Sequence, residues 1–376
     1  MKKIKELITI NKGKKPKIIS PEPQNSFLPY VDIKAFEKNI IDNYTDGEKC
    51  LPCEDGDLLI VCDGSRSGLV GRAVKGFVGS TLARIDIDKS VLPEYIYHFI
   101  QGKYIQLNKS IKGTGTPHLN QELLKSFELY VPPLEDQHRI VTRIEELFSQ
   151  LDSGVETLKK TKEQLKVYRQ AVLKEIFEKY NNFCKISEVC SNIVDCPHST
   201  PKWTSSGKLC LRTTNFRRGY LDLSEPNYVS DETFEERIKR LKPCKGDVLY
   251  SREGAILGIA CIIPDNTELC LGQRMMLLRA NEEYSPFFIM HWLNSPYVTN
   301  YIRTITGGSA SPHVNVGDIK SQRIPKINLE EQNNAVKEIE SRLSVCDSIE
   351  KTIDTALQEA EALRQSILKQ AFEGGL

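Results

Sequence analysis

Two histidines, His118 and His313, stand in near-identical settings. Each opens a Pro-His-x-Asn stretch, PHLN at 117–120 and PHVN at 312–315, behind a loop of glycine, serine and threonine that in the first copy includes Thr114. A histidine so placed can move protons, hold a metal or donate to a phosphate. A catalytic pair duplicated across two distant domains would be unusual, and the company such a pair needs is missing. The chain has no Gly-x-Ser-x-Gly elbow and no His-Glu-x-x-His. Gly64-Ser65-Arg66-Ser67-Gly68 lacks both the lysine and the spacing of a phosphate loop. No Asn/Asp-Pro-Pro-Tyr/Phe element for amino-methyl transfer occurs. The one Cys-x-x-Cys, Cys50 to Cys53, is matched in the second half only by Cys244, short of the four ligands of a zinc site. These patterns point to binding rather than catalysis. We expect no catalytic residue, no metal and no cofactor, and read both histidines as loop residues that bond backbone or phosphate.

Positive residues gather near the same loops. NKGKKPK (11–17) sets Lys12, Lys14, Lys15 and Lys17 around Gly13 and Pro16, and Ser65, Arg66 and Arg72 belong to the glycine-rich turn. In the second half, DCPHSTPKWTSSGK (195–208) offers His198, Thr200, Lys202 and Trp203. Arg212, Arg217 and Arg218 follow, and Arg252 stands where the second glycine-rich turn begins. An arginine fork can address guanine in a major groove, whereas lysines and loop hydroxyls mostly hold phosphate. The counterweight is overall charge: 51 Lys and Arg against 50 Asp and Glu leave a formal net charge of +1, so many of these cations simply solvate the surface.

The elements that must carry these residues occur twice. Adding 195 takes Pro117, His118 and Asn120 to Pro312, His313 and Asn315, and Leu134, Glu135 and Gln137 to Leu329, Glu330 and Gln332. The same shift takes Arg169 to Arg364 and Phe177 to Phe372 without a gap. Upstream the shift falls to 190, pairing Gly56-Asp57-Leu58-Leu59 with Gly246-Asp247-Val248-Leu249, and at the start to 182, pairing Lys3-Ile4 with Lys185-Ile186. A register that slips only where loops would lie is that of a tandem duplication of whole domains. A length of 376 residues has room for two such domains, and 40% hydrophobic with 27% charged residues is a globular balance. No apolar run approaches the roughly 20 residues of a membrane span. MKKIKELITI is too short and too charged for a signal peptide, and eleven cysteines without one read as reduced cytoplasmic thiols.

Each copy ends in a helical pattern. Apolar residues recur at threes and fours through Ile144, Leu147, Leu151, Val155 and Leu158, and again through Ile339, Leu343, Cys346, Ile349 and Ile353. That is the narrow stripe of a coiled coil, and Pro132-Pro133 and Pro325 block extension upstream. Helices of this length, on the order of 60 Å, cannot be buried in one small domain. Either the two pack against each other, or each lies on its own domain. The preceding segments, such as GDLLIVCDG and GDVLYSREG, read as short strands, followed by one short helix per copy at 93–106 and 286–302.

The combination resembles the specificity (S) subunits of type I restriction–modification systems. The resemblance rests on the helix entries PPLEDQHRIVTRIEELF and IPKINLEEQNNAVKEIE, the helix endings YRQAVLKEIFE and LRQSILKQAFE, the Gly-Asp-Leu/Val-Leu strands and the PHLN and PHVN loops, in order over essentially the whole chain. It implies an α+β fold: a tandem duplication of a mixed, strand-rich target-recognition domain plus a long helix, the two helices pairing as an antiparallel coiled coil. Residues 1–133 and 182–325 would be the recognition domains, and 134–181 and 326–376 the helical spacers. Such a chain would be a non-catalytic subunit that reads a bipartite site in double-stranded DNA. Its partners would be two methyltransferase (M) subunits and restriction (R) subunits, with no membrane involved. Leu134, Gln137, Leu329, Gln332, Arg169 and Arg364 are then expected at the partner interface. Half-sites roughly 34 Å apart call for a stiff separator, which long helices supply. Because KKPK and STPKW are unlike surfaces, the target should be asymmetric. The rival readings are an orphan DNA-binding protein of S type and a coiled-coil scaffold acting without a methyltransferase.

Overall fold

A computed structural model describes residues 1–24, 26–110, 117–254, 256–264, 267–307 and 312–374. The two halves build one framework twice. In the first, β1 (Ile8–Lys12), β2 (Leu58–Val61), β3 (Val70–Arg72) and β4 (Leu82–Ile87) form an antiparallel sheet in the order β1-β4-β2-β3. In the second, β5 (Cys190–Asp195), β6 (Val248–Ser251), β7 (Ala260–Ile262) and β8 (Met275–Ala280) repeat it as β5-β8-β6-β7.

The central strands are apolar on both faces because each sheet divides two cores. Leu58 and Ile60 of β2 point into one cluster, Leu59 and Val61 into another. Val248 and Tyr250 of β6 likewise part from Leu249. Alternation along a strand thus feeds two cores instead of one core and solvent. The smaller core lies against a second four-stranded sheet. In each copy that sheet contains one parallel pair: Leu28–Val31 with Gly76–Val78, and Lys208–Leu211 with Leu269–Leu271. Each framework is closed by its first strand pairing with its last, Lys2–Lys3 with Glu128–Leu129 and Phe183–Lys185 with Arg323–Pro325.

On the larger core lies α1 (Pro93–Lys109) in the first copy. Its long partner α2 (Leu134–Glu178) follows. The second copy differs: the single helix expected at 286–302 is broken into α3 (Pro286–Leu293) and α4 (Pro296–Thr306). Pro296 has no N–H to give to α3 and its ring would clash with the preceding turn, so it starts a new helix instead. The last element is α5 (Leu329–Phe372). Among the described residues no helix is long and apolar enough to cross a membrane.

Both long helices leave their domains through a buried glutamine. Gln137 accepts from the Leu92 amide at 2.9 Å and donates to the Ser90 and Pro132 carbonyls at 3.1 and 2.8 Å. Gln332 accepts from Ser285 at 2.8 Å and donates to Glu283 and Ile327 at 3.0 and 2.9 Å. Both side chains are 0% exposed. The expectation that they face a partner is therefore corrected: their amides are consumed inside their own domains. Leu134 and Leu329, at 46% and 41% exposure, do stand open at the helix starts.

The chain forms two compact units, Met1–Leu158 with Asp354–Leu376, and Lys159–Ile353, so each long helix is shared between them. In the first unit the start of α2 runs antiparallel to the end of α5: Ile144 and Phe148 pack with Ile367, Leu368 and Ala371, and Asp152 pairs with Arg364. Phe372 then sets its ring 5.0 Å from Tyr95 and 5.3 Å from Phe99. In the second unit the repeat-equivalent contacts recur. Arg169 binds Asp347 at 2.7 Å and Glu350 at 2.9 Å, and Phe177 lies 5.4 Å from Phe288 and 5.0 Å from Trp292. The helices thus pair as an antiparallel coiled coil, and each ends on the domain of the other repeat. Arg169 and Arg364, also expected to meet a partner, are engaged in these intramolecular ion pairs.

Replacing Gln332 by alanine strands one buried N–H and two buried carbonyls, a loss of about 2–3 kcal/mol. Thermal unfolding should shift down by about 5 °C or more, while Leu329→Ala should stay within about 0.5 kcal/mol of wild type. Equal melting of Gln332→Ala and wild type would refute the clamp.

Candidate nucleic-acid interface

In the first unit three remote segments meet at one carboxylate. Asp63, at the end of the β2 strand, lies 2.8 Å from Lys12 Nζ and 2.7 Å from His118 Nδ1. Partial burial opposes its ionisation, but the hydrogen bonds from Lys12 and His118 outweigh burial and hold the carboxyl below the usual aspartate range. The turn that follows is pinned from several sides. Gly64 and Gly68 take φ of +109° and +95°, a region open to glycine, and the buried Ser67 hydroxyl donates to the Gly64 carbonyl at 2.8 Å. Asn108 at the end of α1 donates to the Ser65 and Ser67 carbonyls at 2.8 and 3.1 Å. Ser65 and Arg66 are left facing outward, with Arg66 paired to Glu37.

The lysine run is held flat against the domain at Gly13, where any Cβ would come within 2.3 Å of the Val78 and Gly79 carbonyls. Lys14 and Lys15 are exposed beside it, Lys17 reaches Glu48 at 3.3 Å, and Ile18 and Ile19 add exposed apolar surface. Arg72 does not join this group. Its guanidinium binds Glu94 and the Gly56 carbonyl, each at 3.1 Å, and lies 5.1 Å from the Tyr97 ring centre, so its hydrogen-bonding capacity is largely spent within the domain. Thr114 lies outside the described residues.

In the second unit Asp195 has the central place. Arg252 grips it with two bonds of 2.9 and 3.1 Å and donates a third to the Val314 carbonyl at 3.1 Å. With 7% of its side chain exposed, Arg252 is a buried strut and not the DNA-reading residue expected from its place in the turn. Arg217 is similarly occupied by Asp222 and the Thr214 and Phe216 carbonyls. The surface is formed by others. His198 reaches Asp195 at 3.0 Å while its side chain stays 67% exposed. Arg212 lies 4.4 Å over the Trp203 ring, Thr200 bonds Gln273 at 3.3 Å, and Lys202 is exposed. His313 is exposed and bridges the Glu253 backbone, as His118 bridges Asp63.

Two residues that sequence reasoning passed over belong here. Arg237 is buried and donates to the Ser199, Leu271 and Gly272 carbonyls, which ties down the loop bearing His198 and Thr200. Its signal was available: an arginine between Phe234 and Ile238, on the apolar face of a short helix. Arg274 has φ of +67° and 61% side-chain exposure, with Glu253 at 3.8 Å. Holding a non-glycine residue there costs roughly 1–2 kcal/mol, and residue type gives no sign of it.

These roles separate by stability. Arg252→Ala leaves Asp195 half-buried without its fork and should cost about 3 kcal/mol or more in urea unfolding. Arg274→Gly relieves the left-handed strain and should match or exceed wild type by about 1 kcal/mol. If Arg252→Ala is as stable as wild type, the strut assignment fails.

The arrangement is a duplicated scaffold with two unlike basic surfaces, and comparison with known proteins agrees with that design. The model of the type I restriction modification DNA specificity domain matches residues 1–167 and again 173–359. The specificity subunit of the type I restriction enzyme EcoBI of Escherichia coli is 26% identical over 356 residues, covering 85% of this chain and 73% of that protein. A solved chain described under complex assembly and conformational transition of the type I R-M system superposes with a TM-score of 0.75 at 19% identity, covering 100% of this chain and 97% of its own. The HsdS subunit from Thermoanaerobacter tengcongensis gives 0.52 at 20% identity, with 100% and 96% covered. At such identities the structures speak for the fold, while the twofold match of the domain model speaks for descent. The chain belongs to the type I restriction–modification DNA specificity family and carries that family's domain twice.

Proposed function

We propose that this chain is a specificity subunit that reads a split, asymmetric site in double-stranded DNA and brings the modifying and cutting subunits to it, without catalysing a step itself. The observation that carries this is the repetition of one framework with different exposed cations on each copy. Residues 1–133 would read one half-site through Lys14, Lys15, Lys17, Ser65, Arg66 and His118. Residues 182–325 would read the other through His198, Lys202, Trp203, Arg212 and Arg274. A symmetric reader would need matching surfaces, and these do not match. Residues 134–181 and 326–376 are the helical spacers that would set the distance between half-sites. Two M subunits would dock on this part of the chain, where Leu134 and Leu329 stand exposed, and R subunits would complete the larger enzyme.

Charge supports a reader that works within an assembly. A net charge of +1 gives little of the non-specific phosphate attraction on which isolated DNA-binding domains rely. Many cations, among them Arg72, Arg217 and Arg252, are already neutralised within the fold. Firm binding would then come with the partners.

Co-expression with the M subunit encoded beside the chain, in a methylation-free host, should produce methylation at one split, asymmetric motif that disappears when the chain is omitted. Within that complex, Lys14→Ala should weaken all sequences alike and flatten the salt dependence. Arg212→Ala or Arg274→Ala should instead relax one base position at a cost of about 1–3 kcal/mol. An M subunit that copurifies with the chain while no motif is modified would remove the DNA-reading half of this proposal.

A further inference from the structure

The second unit holds a cavity of about 590 Å³, within the roughly 300–1,000 Å³ usual for small-molecule sites. Its walls come from the Arg218-Gly219 corner, from the α3–α4 break, and from the late part of α2 with Leu343 of α5. The strand pair that presents Arg218, Phe216–Arg217 with Tyr220–Leu221, has no counterpart among the described residues of the first unit.

Among the described residues four cations line the cavity and no carboxylate does. Two of the four are neutralised: Lys166 by Glu163 at 2.7 Å, and Arg169 by Asp347 and Glu350. The other two are not. Among the described residues Arg218 meets only the carbonyl and side-chain oxygens of Asn294, both at 3.3 Å, and Arg303 has no ion pair. Arg218 is exposed overall, yet loss of hydration at the cavity wall, reinforced by repulsion from Arg303, pushes its pKa down. Like charges brought together at a protein wall are costly unless an anion joins them.

A histidine in the cavity wall carries a buried polar atom. His291 is 6% exposed, and its Nε2 makes no hydrogen bond among the described residues, the Glu340 carboxylate lying 3.9 Å away. The first repeat treats its corresponding residue differently. His98 keeps its Nε2 at the same 3.9 Å from Glu145, and the difference lies at Nδ1, which bonds Gln101 at 3.3 Å. In the second repeat the side chain three residues on is Asn294, which is turned away to bond both the N–H and the carbonyl of Ala260. Beside it the Ser295 hydroxyl, at the start of α4, is also buried without a partner among the described residues.

We propose that this cavity binds a phosphate group, with Arg218 and Arg303 as charged donors and His291 Nε2 as a third. The group could be carried by a small polyphosphate or by a nucleic-acid backbone. Planar guanidinium forks suit phosphate oxygens, and a buried imidazole N–H adds direction. The site stands independently of the DNA-reading proposal, whose test follows methylated bases and not phosphate affinity.

Calorimetric titration of the full chain with tripolyphosphate at fixed ionic strength should give saturable binding at one site. Arg303→Ala removes an exposed side chain, so the fold should survive, and binding should weaken at least about tenfold. Arg218→Lys, which keeps charge but loses the fork, should also weaken it, and Lys174→Ala, an exposed lysine of α2, should not. A short DNA duplex then identifies the source. Displacement of tripolyphosphate by duplex, with duplex binding weakened by Arg303→Ala, assigns the site to backbone phosphate. Simultaneous binding of both assigns it to a small ligand. Absence of saturable heat, or equal tripolyphosphate affinity in wild type and Arg303→Ala, overturns the proposal.

Discussion

The buried glutamine at the root of each long helix is the contact on which the rest of the molecule depends. A helix of 44 or 45 residues has most of its surface outside any domain, so its direction must be set within its first turns. Gln137 and Gln332 do this by bonding at once to the chain just before the helix and to the loop ahead of α1 or α3. A primary amide suits the task because one oxygen accepts while the NH₂ donates twice, satisfying three backbone groups at a depth water does not reach. A hydrophobic residue would leave those groups unpaired, and a carboxylate could not donate to the carbonyls.

From that root the helices acquire reciprocal ends. Phe177 closes the core that holds Phe288 and Trp292, and Phe372 closes the one that holds Tyr95 and Phe99. The ion pairs Arg169–Asp347 and Arg364–Asp152 are one interaction made twice by repeat-equivalent residues. Each compact unit is therefore assembled from both repeats, and neither repeat contains all of the residues that complete its own core. A duplicated gene could keep such an arrangement only while both copies of the helix retained their endings.

The polar centres of the two domains solve one problem with different residues. Asp63 is held by Lys12 and His118, Asp195 by Arg252 and His198. In both, a carboxylate ties the first strand of the main sheet to the glycine-rich turn or to the loops beside it. The scaffold is conserved between the halves while its surface is free to differ, and a protein that reads two unlike half-sites requires that division. A related division appears in the cations: Arg252 and Arg237 brace the second framework from beneath the surface, and those left exposed differ from one copy to the other.

Much of this was legible in the residues. The duplication and the extent of both long helices follow from a constant spacing and from apolar periodicity, which are properties of sequence order, whereas their antiparallel partnership was implied by the family resemblance. One helix was expected over 286–302, and the break at Pro296 emerged only in the structure, although proline acts locally. What sequence order could not decide is where a polar side chain spends its hydrogen bonds. Gln137 and Arg252 looked like surface residues by type, yet folding surrounds each with backbone groups or a carboxylate from distant segments, and burial with full pairing is then the stable outcome. Arg274 looked ordinary because a left-handed φ belongs to the closed loop and not to the amino acid. The sequence by itself determined the repeat, its helices and the family. Only the tertiary structure decided which cations are struts, which are free, and which converge on a shared cavity, because those distinctions arise from contacts between residues far apart in the chain.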